Sequence, residues 1–182
     1  KCFKTAGGHR KFKLSDLKKH AEENNFHTTN LLFVENEPKG KTVLIRRNYN
    51  DLNKNLEKYI LNGDTVKTFD FLYTLYFNGY SIEEIFDRIV KITMQSIGEK
   101  WAAKTLSIEN EHIATSTIIS SLHQFERVIQ KNKSNKKSVI CAGLENEYHE
   151  TGILCVKIAL AAFGWNVIYP GINLPVENLS EL

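Results

Sequence analysis

Two groups of residues have types and spacing that could do chemistry. In Glu147-Tyr148-His149-Glu150-Thr151-Gly152 a carboxylate stands two residues before an imidazole, and a glycine three residues after it. At that spacing Glu147 can accept a hydrogen bond from one ring nitrogen of His149 and leave the other free to bind a metal, an arrangement common among metal-ligating histidines. Gly152 permits close backbone approach to a bulky ligand. An ordinary helix-cap histidine with Glu147 solvated beside it fits these six residues equally well. The second group is Trp101 followed, after nine intervening residues, by Glu111-His112. Trp101 packed in a core and a Glu-His pair on a surface is the plainer account of that group.

The elements that must position these residues can be read from periodicity. Val139-Ile140-Cys141-Ala142 is an apolar, strand-like run, and Ile153 to Phe163 reads as a helix, so His149 sits on a strand-to-helix loop. In an open α/β sheet such a loop lies at the carboxyl end of the strand, where these folds bind ligands. Upstream, four helical stripes follow one another. Leu52, Leu56, Tyr59 and Ile60 form the first and Val66, Phe69, Leu72, Tyr73 and Tyr76 the second. Ser81-Ile82-Glu83-Glu84 is a capping box opening the third, through Ile85, Ile89, Ile92 and Ile97. Ser107 can cap the fourth, which carries Ala114, Ile118, Leu122, Phe125 and Val128. Short connections between four helices predict an antiparallel bundle, with Trp101, Glu111 and His112 at one end of it. The polar tract Lys131 to Lys137 reads as a linker to the α/β segment.

The first residues read differently. Cys2 to Thr5, a turn around Gly7-Gly8, and Arg10 to Lys13 predict a hairpin; Ser15 can cap a helix from Asp16 to about Glu23. Residues 31–34 and 42–45 predict a strand-turn-strand pattern or an ordered linker. The formal charge of the 182 residues is +3. Residues 1–20 hold seven Lys/Arg against Asp16, a charge of +6, so the remainder carries 3 − 6 = −3. A basic end suggests a polyanion partner, although a solvated basic hairpin would carry the same charge.

Glu, any residue, His, two residues, Gly resembles the signature that opens cobalamin-binding domains. In that family the histidine replaces the cofactor's own benzimidazole as lower axial ligand of cobalt. The resemblance implies that His149 is the cobalt ligand, Glu147 its orienter and Gly152 a neighbour of the corrin. Gly164 to Pro175 resembles the family's second strand and the loop after it, which implies cofactor contact at Gly171 and Asn173. Trp101, nine residues, then Glu111-His112 resembles the helical cap of cobalamin-dependent photoreceptor repressors of the CarH/LitR type. There the Trp packs against the upper adenosyl group while the Glu and His bond to it or support the pocket. Thr5 to Phe12, followed by Asp16-Leu17, resembles the wing and following helix of MerR-type and excisionase-like DNA-binding domains, implying that Arg10 and Lys11 face DNA phosphates. One departure stands out: the best-known photoreceptors have a second cobalt-binding His after the Trp, and this chain has Ala102.

The expected organisation is α/β overall. Residues 1–25 are the basic wing and helix remnant of a winged helix-turn-helix, 26–49 a linker or hairpin, 50–132 a four-helix bundle cobalamin cap, and 137–182 the beginning of a Rossmann-like (flavodoxin-like) cobalamin-binding domain. The recognition helix would precede Lys1 and the positions holding the nucleotide tail would follow Leu182, so a longer chain is expected. A hydrophobic share of 42% suits a globular chain without a membrane span, expected in the cytoplasm. Cys2, Cys141 and Cys155 have neither zinc-ligand nor disulfide spacing and are expected as buried thiols. The implied function is a non-enzymatic transcription regulator that binds adenosylcobalamin and operator DNA as a homo-oligomer and senses light through the cofactor. The alternative is a corrinoid carrier module for methyl transfer.

Overall fold

The computed structural model describes residues 48–129 and 132–177, together with the backbone of 2–4 and 10–12. Two compact units are defined, Lys1–Thr42 and Val43–Leu182. In the first, β1 (Cys2–Lys4) pairs antiparallel with β2 (Arg10–Phe12), with Phe3 opposite Lys11 and Lys4 opposite Arg10. The side chains of Arg10 and Lys11, the helix expected from Asp16 and the strand pattern over 31–45 lie outside the described residues.

In the second unit α1 (Tyr49–Leu61) buries Leu52, Leu56 and Ile60, as its apolar spacing predicts. α2 (Thr65–Phe77) starts at Asp64, whose side chain accepts the Lys67 backbone N–H, and buries Thr68, Asp70, Leu72 and Leu75. Its other face carries Phe69, Tyr73 and Phe77 in successive ring contacts, and Val66 and Phe77 are exposed. This helix is apolar around most of its circumference, so periodicity alone does not select the inward face.

The capping box forms as spelled. The Ser81 backbone N–H donates to Glu84 Oε2 at 3.0 Å, and the Glu84 N–H donates to Ser81 Oγ at 3.1 Å. A π-helical stretch, Glu84–Val90, then runs into α3 (Lys91–Ala102). Its wider turn shifts the phase of the stripe, so Thr93 is buried between Ile89 and Ile97 while Ile92 faces outward. α4 (Ile108–Val128) is capped by Ser107, whose Oγ accepts the Asn110 N–H, and buries Ala114, Ile118, Leu122 and Phe125. Beyond it Ile129 takes the buried place expected of Val128.

The α/β segment is β3 (Ser138–Leu144), α5 (Glu150–Ala162) and β4 (Asn166–Leu174). β3 and β4 are parallel, which requires a crossover, and α5 supplies it. Leu154, Ile158 and Ala162 of α5 belong to the same hydrophobic cluster as the upstream helices. The opposite side of α5 lies on the strands: a Cβ at Gly143 would come within 3.0 Å of Ile153 and Ile172. The helical and α/β layers thus share one core with α5 between them. The polar tract is exposed but tied down, since the Asn132 and Asn135 N–H groups donate to the Ala162 and Gly164 carbonyls. Gly164 has φ +85°, and a Cβ there would stand 2.4 Å from the Lys133 carbonyl oxygen, so only glycine fits.

Candidate functional site

The chain leaves β3 at Leu144, turns through Asn146 at φ 66°, and enters α5 with His149 as N-cap residue. Glu147 Oε1 accepts two bonds from His149, from the backbone N–H at 2.7 Å and from Nδ1 at 2.6 Å. These bonds, the backbone one first, hold the Glu147 carboxyl below its ordinary range. The His149 side chain is 95% exposed. Nδ1 is engaged by Glu147, and Nε2 has no hydrogen-bond partner among the described residues.

Two side chains of β4 secure this loop. Asn173, at φ 57°, accepts the Asn146 N–H on its Oδ1 at 3.0 Å, and the Tyr169 hydroxyl donates to Glu150 Oε1 at 2.8 Å. Asn173, expected at the cofactor, therefore has a role within the protein: it joins the loop after β3 to the end of β4. Neither Tyr169 nor Asn146 stands out in the sequence as a residue that secures the loop. The available signal was a tyrosine among apolar strand residues, whose hydroxyl needs a partner when half-buried.

Gly152 lies in the first turn of α5, and nothing stands within 4 Å of where its Cβ would be. The same holds at Gly171, whose φ of +105° suits glycine. Leu144, at the end of β3, and Tyr148, which precedes the histidine, are exposed. An imidazole nitrogen left open on an exposed loop, and two glycines with open space where a Cβ would be, fit a bulky ligand that takes a single nitrogen donor. Among the described residues no three His, Cys, Asp or Glu side chains group closely enough to hold a bare ion. A single nitrogen donor suits a metal that brings its own equatorial ligands.

The other expected site residues lie around the α3–α4 turn. Trp101, in the last turn of α3, is 47% exposed, and Ala102 follows it. Glu111 and His112 are in the first turns of α4: His112 is exposed, with Nε2 3.6 Å from Glu111 Oε2, while Glu111 Oε1 accepts the Thr115 hydroxyl at 2.8 Å. An exposed indole is free to lie against a ligand, which a core tryptophan is not. Among the described residues no hydrogen bond, ion pair or ring contact joins this group to the Glu147–His149 loop.

Residues 52–126, from α1 through nearly all of α4, match the B12-binding family described as "B12 binding domain". The match takes in Trp101, Glu111 and His112 and stops short of His149. No curated protein sequence matches the chain. Among solved structures, the monomethylamine corrinoid protein of Methanosarcina barkeri is similar with a TM-score of 0.59 and 18% identity, covering 72% of this chain and 62% of that one. The methanol:cobalamin methyltransferase complex MtaBC from Methanosarcina barkeri is 18% identical over 94% of this chain and 64% of that one, with a TM-score of 0.42. A cobalamin-binding protein from Desulfitobacterium hafniense DCB-2 is 16% identical over 72% of this chain and 62% of that one, at 0.35. The chain spans less than two thirds of each of these proteins. Only the first similarity is close enough to establish a shared fold. No described helix is long and apolar enough to cross a membrane. The family match on the helices supports a cobalamin-binding module.

Proposed function

We infer that the protein carries a corrinoid for methyl transfer, which His149 would ligate through its imidazole and α1–α4 would shelter. The observation that carries the ligand assignment is the doubly held His149, whose Nε2 is left open on an exposed loop. A bound corrinoid would supply a cobalt able to carry and release a methyl group. Glu147 keeps the proton on Nδ1 and so presents Nε2 as the donor. Gly152 and Gly171 leave room for the ring. Trp101 offers an apolar plate, and Glu111 and His112 offer polar groups beside it. Support for a carrier comes from the fold shared with a monomethylamine corrinoid protein and from the B12-binding match over the helices. In this reading the chain is a cytoplasmic carrier whose partner is a methyltransferase, and it is not itself an enzyme.

A second reading is favoured by particular residues. The β1–β2 pairing with Arg10 and Lys11 on one strand, and the Trp101, Glu111, His112 spacing, suit a light-sensing regulator that binds adenosylcobalamin and operator DNA as a homo-oligomer. Loss of an adenosyl group would then remove its contacts with Trp101, Glu111 and His112. Such a difference in interaction energy is all that a shift between states requires. Ala102 cannot serve as a second ligand, so the illuminated protein would reload readily with fresh adenosylcobalamin.

One set of measurements separates the readings. Full-length protein is titrated with methylcobalamin and with adenosylcobalamin, and absorption spectra and DNA retention are recorded in the dark and after illumination. A carrier takes methylcobalamin at least as tightly and retains no DNA in either condition. A sensor prefers adenosylcobalamin, retains DNA in a light-dependent way, and loses about one unit of salt slope in Arg10→Ala or Lys11→Ala. In both, His149→Ala converts the bound spectrum to the form lacking a protein ligand; unchanged spectrum and affinity would remove His149 from the site.

A further inference from the structure

Lys157 stands in the middle of α5, where its side chain is only 16% exposed. A charge so placed needs a partner, and Glu126 of α4, itself 19% exposed, accepts from its Nζ at 2.7 Å. The same ammonium lies 5.2 Å from the centre of the Tyr169 ring, a cation–π contact with β4. Its charge is also felt at the Cys141 thiol of β3, where it opposes the upward push of burial. One cation thus joins the helical layer to β4.

The Tyr169 hydroxyl continues the chain of contacts by donating to Glu150 Oε1 at 2.8 Å. Burial, followed by that bond, raises the Tyr169 pKa, which keeps the hydroxyl a donor throughout the neutral range. Glu150 is the first residue of α5 and the neighbour of His149 in sequence. The contacts therefore run without a gap from Glu126 on α4, through Lys157 and Tyr169, to the residue that follows the histidine.

We propose that Lys157 and Tyr169 are positioning residues through which the seating of α4 on the α/β layer sets the order of the His149 loop. A helical layer displaced by a partner or by a bulkier upper group would pull on Glu126, and the ion pair would transmit the change to the axial histidine. The use of this for a corrinoid rests on the reading of His149 as axial ligand; the mechanical link does not.

The test uses the full chain and two readouts. Hydrogen–deuterium exchange of amides 147–152 is measured without cofactor, and the fraction of histidine-ligated methylcobalamin is read from absorption spectra. Glu126→Gln touches neither the loop nor β4, yet it is expected to speed exchange at 147–152 about tenfold, as is the conservative Tyr169→Phe. Lys157→Met should do the same and Lys157→Arg should restore most of the protection. All three loosening variants should lower the histidine-ligated fraction. Unchanged exchange at 147–152 in Glu126→Gln and Tyr169→Phe would overturn the proposal, whatever their thermal midpoints do. His149→Ala is the separate control: if its methylcobalamin spectrum equals that of the parent, the axial assignment fails while the exchange result still decides the link.

Discussion

One carboxylate oxygen of Glu147 binds His149 twice, at the backbone N–H (2.7 Å) and at Nδ1 (2.6 Å), so a single side chain holds both the N-cap backbone of α5 and the orientation of the ring. Metal-binding histidines oriented in this way lose affinity when the orienting group is removed. Glu147→Ala is expected to weaken cobalamin binding about 10–100-fold, with a spectrum intermediate between the parent and His149→Ala. Glu147→Gln, which can still accept a hydrogen bond, should lose less. Titration of each variant with hydroxocobalamin measures this. Equal affinity in all three proteins would show that the pair is only a helix cap.

Phe125 is fully buried on α4 and meets the rings of Tyr76 at 5.8 Å and Phe86 at 6.1 Å. Phe125→Ala should destabilise the chain by about 3–5 kcal/mol through lost burial and the cavity left behind. Denaturant unfolding measures it. A loss under 1 kcal/mol would mean that the packing of α2, the π-helical stretch and α4 around this ring is not as described.

Asp70 is only 6% exposed and has no hydrogen bond or ion pair among the described residues. Burial first, and then the Asp64 charge, raise its pKa. Because the folded value lies above the unfolded one, the folded state is favoured most where the group is protonated in both states, and that advantage is lost as pH rises through the folded value. Asp70→Asn should therefore raise the thermal midpoint at neutral pH by about 2–4 °C, the shift given by about 1 kcal/mol in a chain of this size. The gain should shrink on acidification. A lower midpoint at pH 7 would point to a role for the ionised carboxylate.

Burial, with a smaller contribution from Asp87, pushes the Cys155 thiol up to about 12. At pH 8 the thiolate fraction is then on the order of one in ten thousand, and alkylation is slow. Iodoacetamide at pH 8, followed by mass spectrometry, should leave Cys155 unmodified until the protein unfolds. The sign of the pH dependence is again that of a raised group: this contribution to stability is intact below pH 9, the thiol's ordinary value, and is lost between there and about 12. Cys155→Ala should be less sensitive over that interval.

Much of the helical architecture was legible because its signals are local. Leu52, Leu56 and Ile60 are spaced for one helix face and are buried together; Ser81 and Glu84 are three residues apart and close the capping box on themselves. The Glu147–His149 bond belongs to the same class, since two residues of separation suffice to bring the groups together. Elements, caps and the pairing at the candidate ligand therefore follow from residues close together in the chain. Packing against the other helices selected which face of α2 turned inward, exposing Val66 and burying Thr68 and Asp70, because that helix is apolar on both sides. It likewise decided that Thr93 rather than Ile92 faces the core, since the π-helical turn breaks the regular period that sequence reading assumes. The clamps on the site were hidden for a related reason. Tyr169–Glu150 and Asn173–Asn146 join residues 19 and 27 apart, and those contacts exist only once β3 and β4 pair in parallel with register shifts that no local pattern encodes.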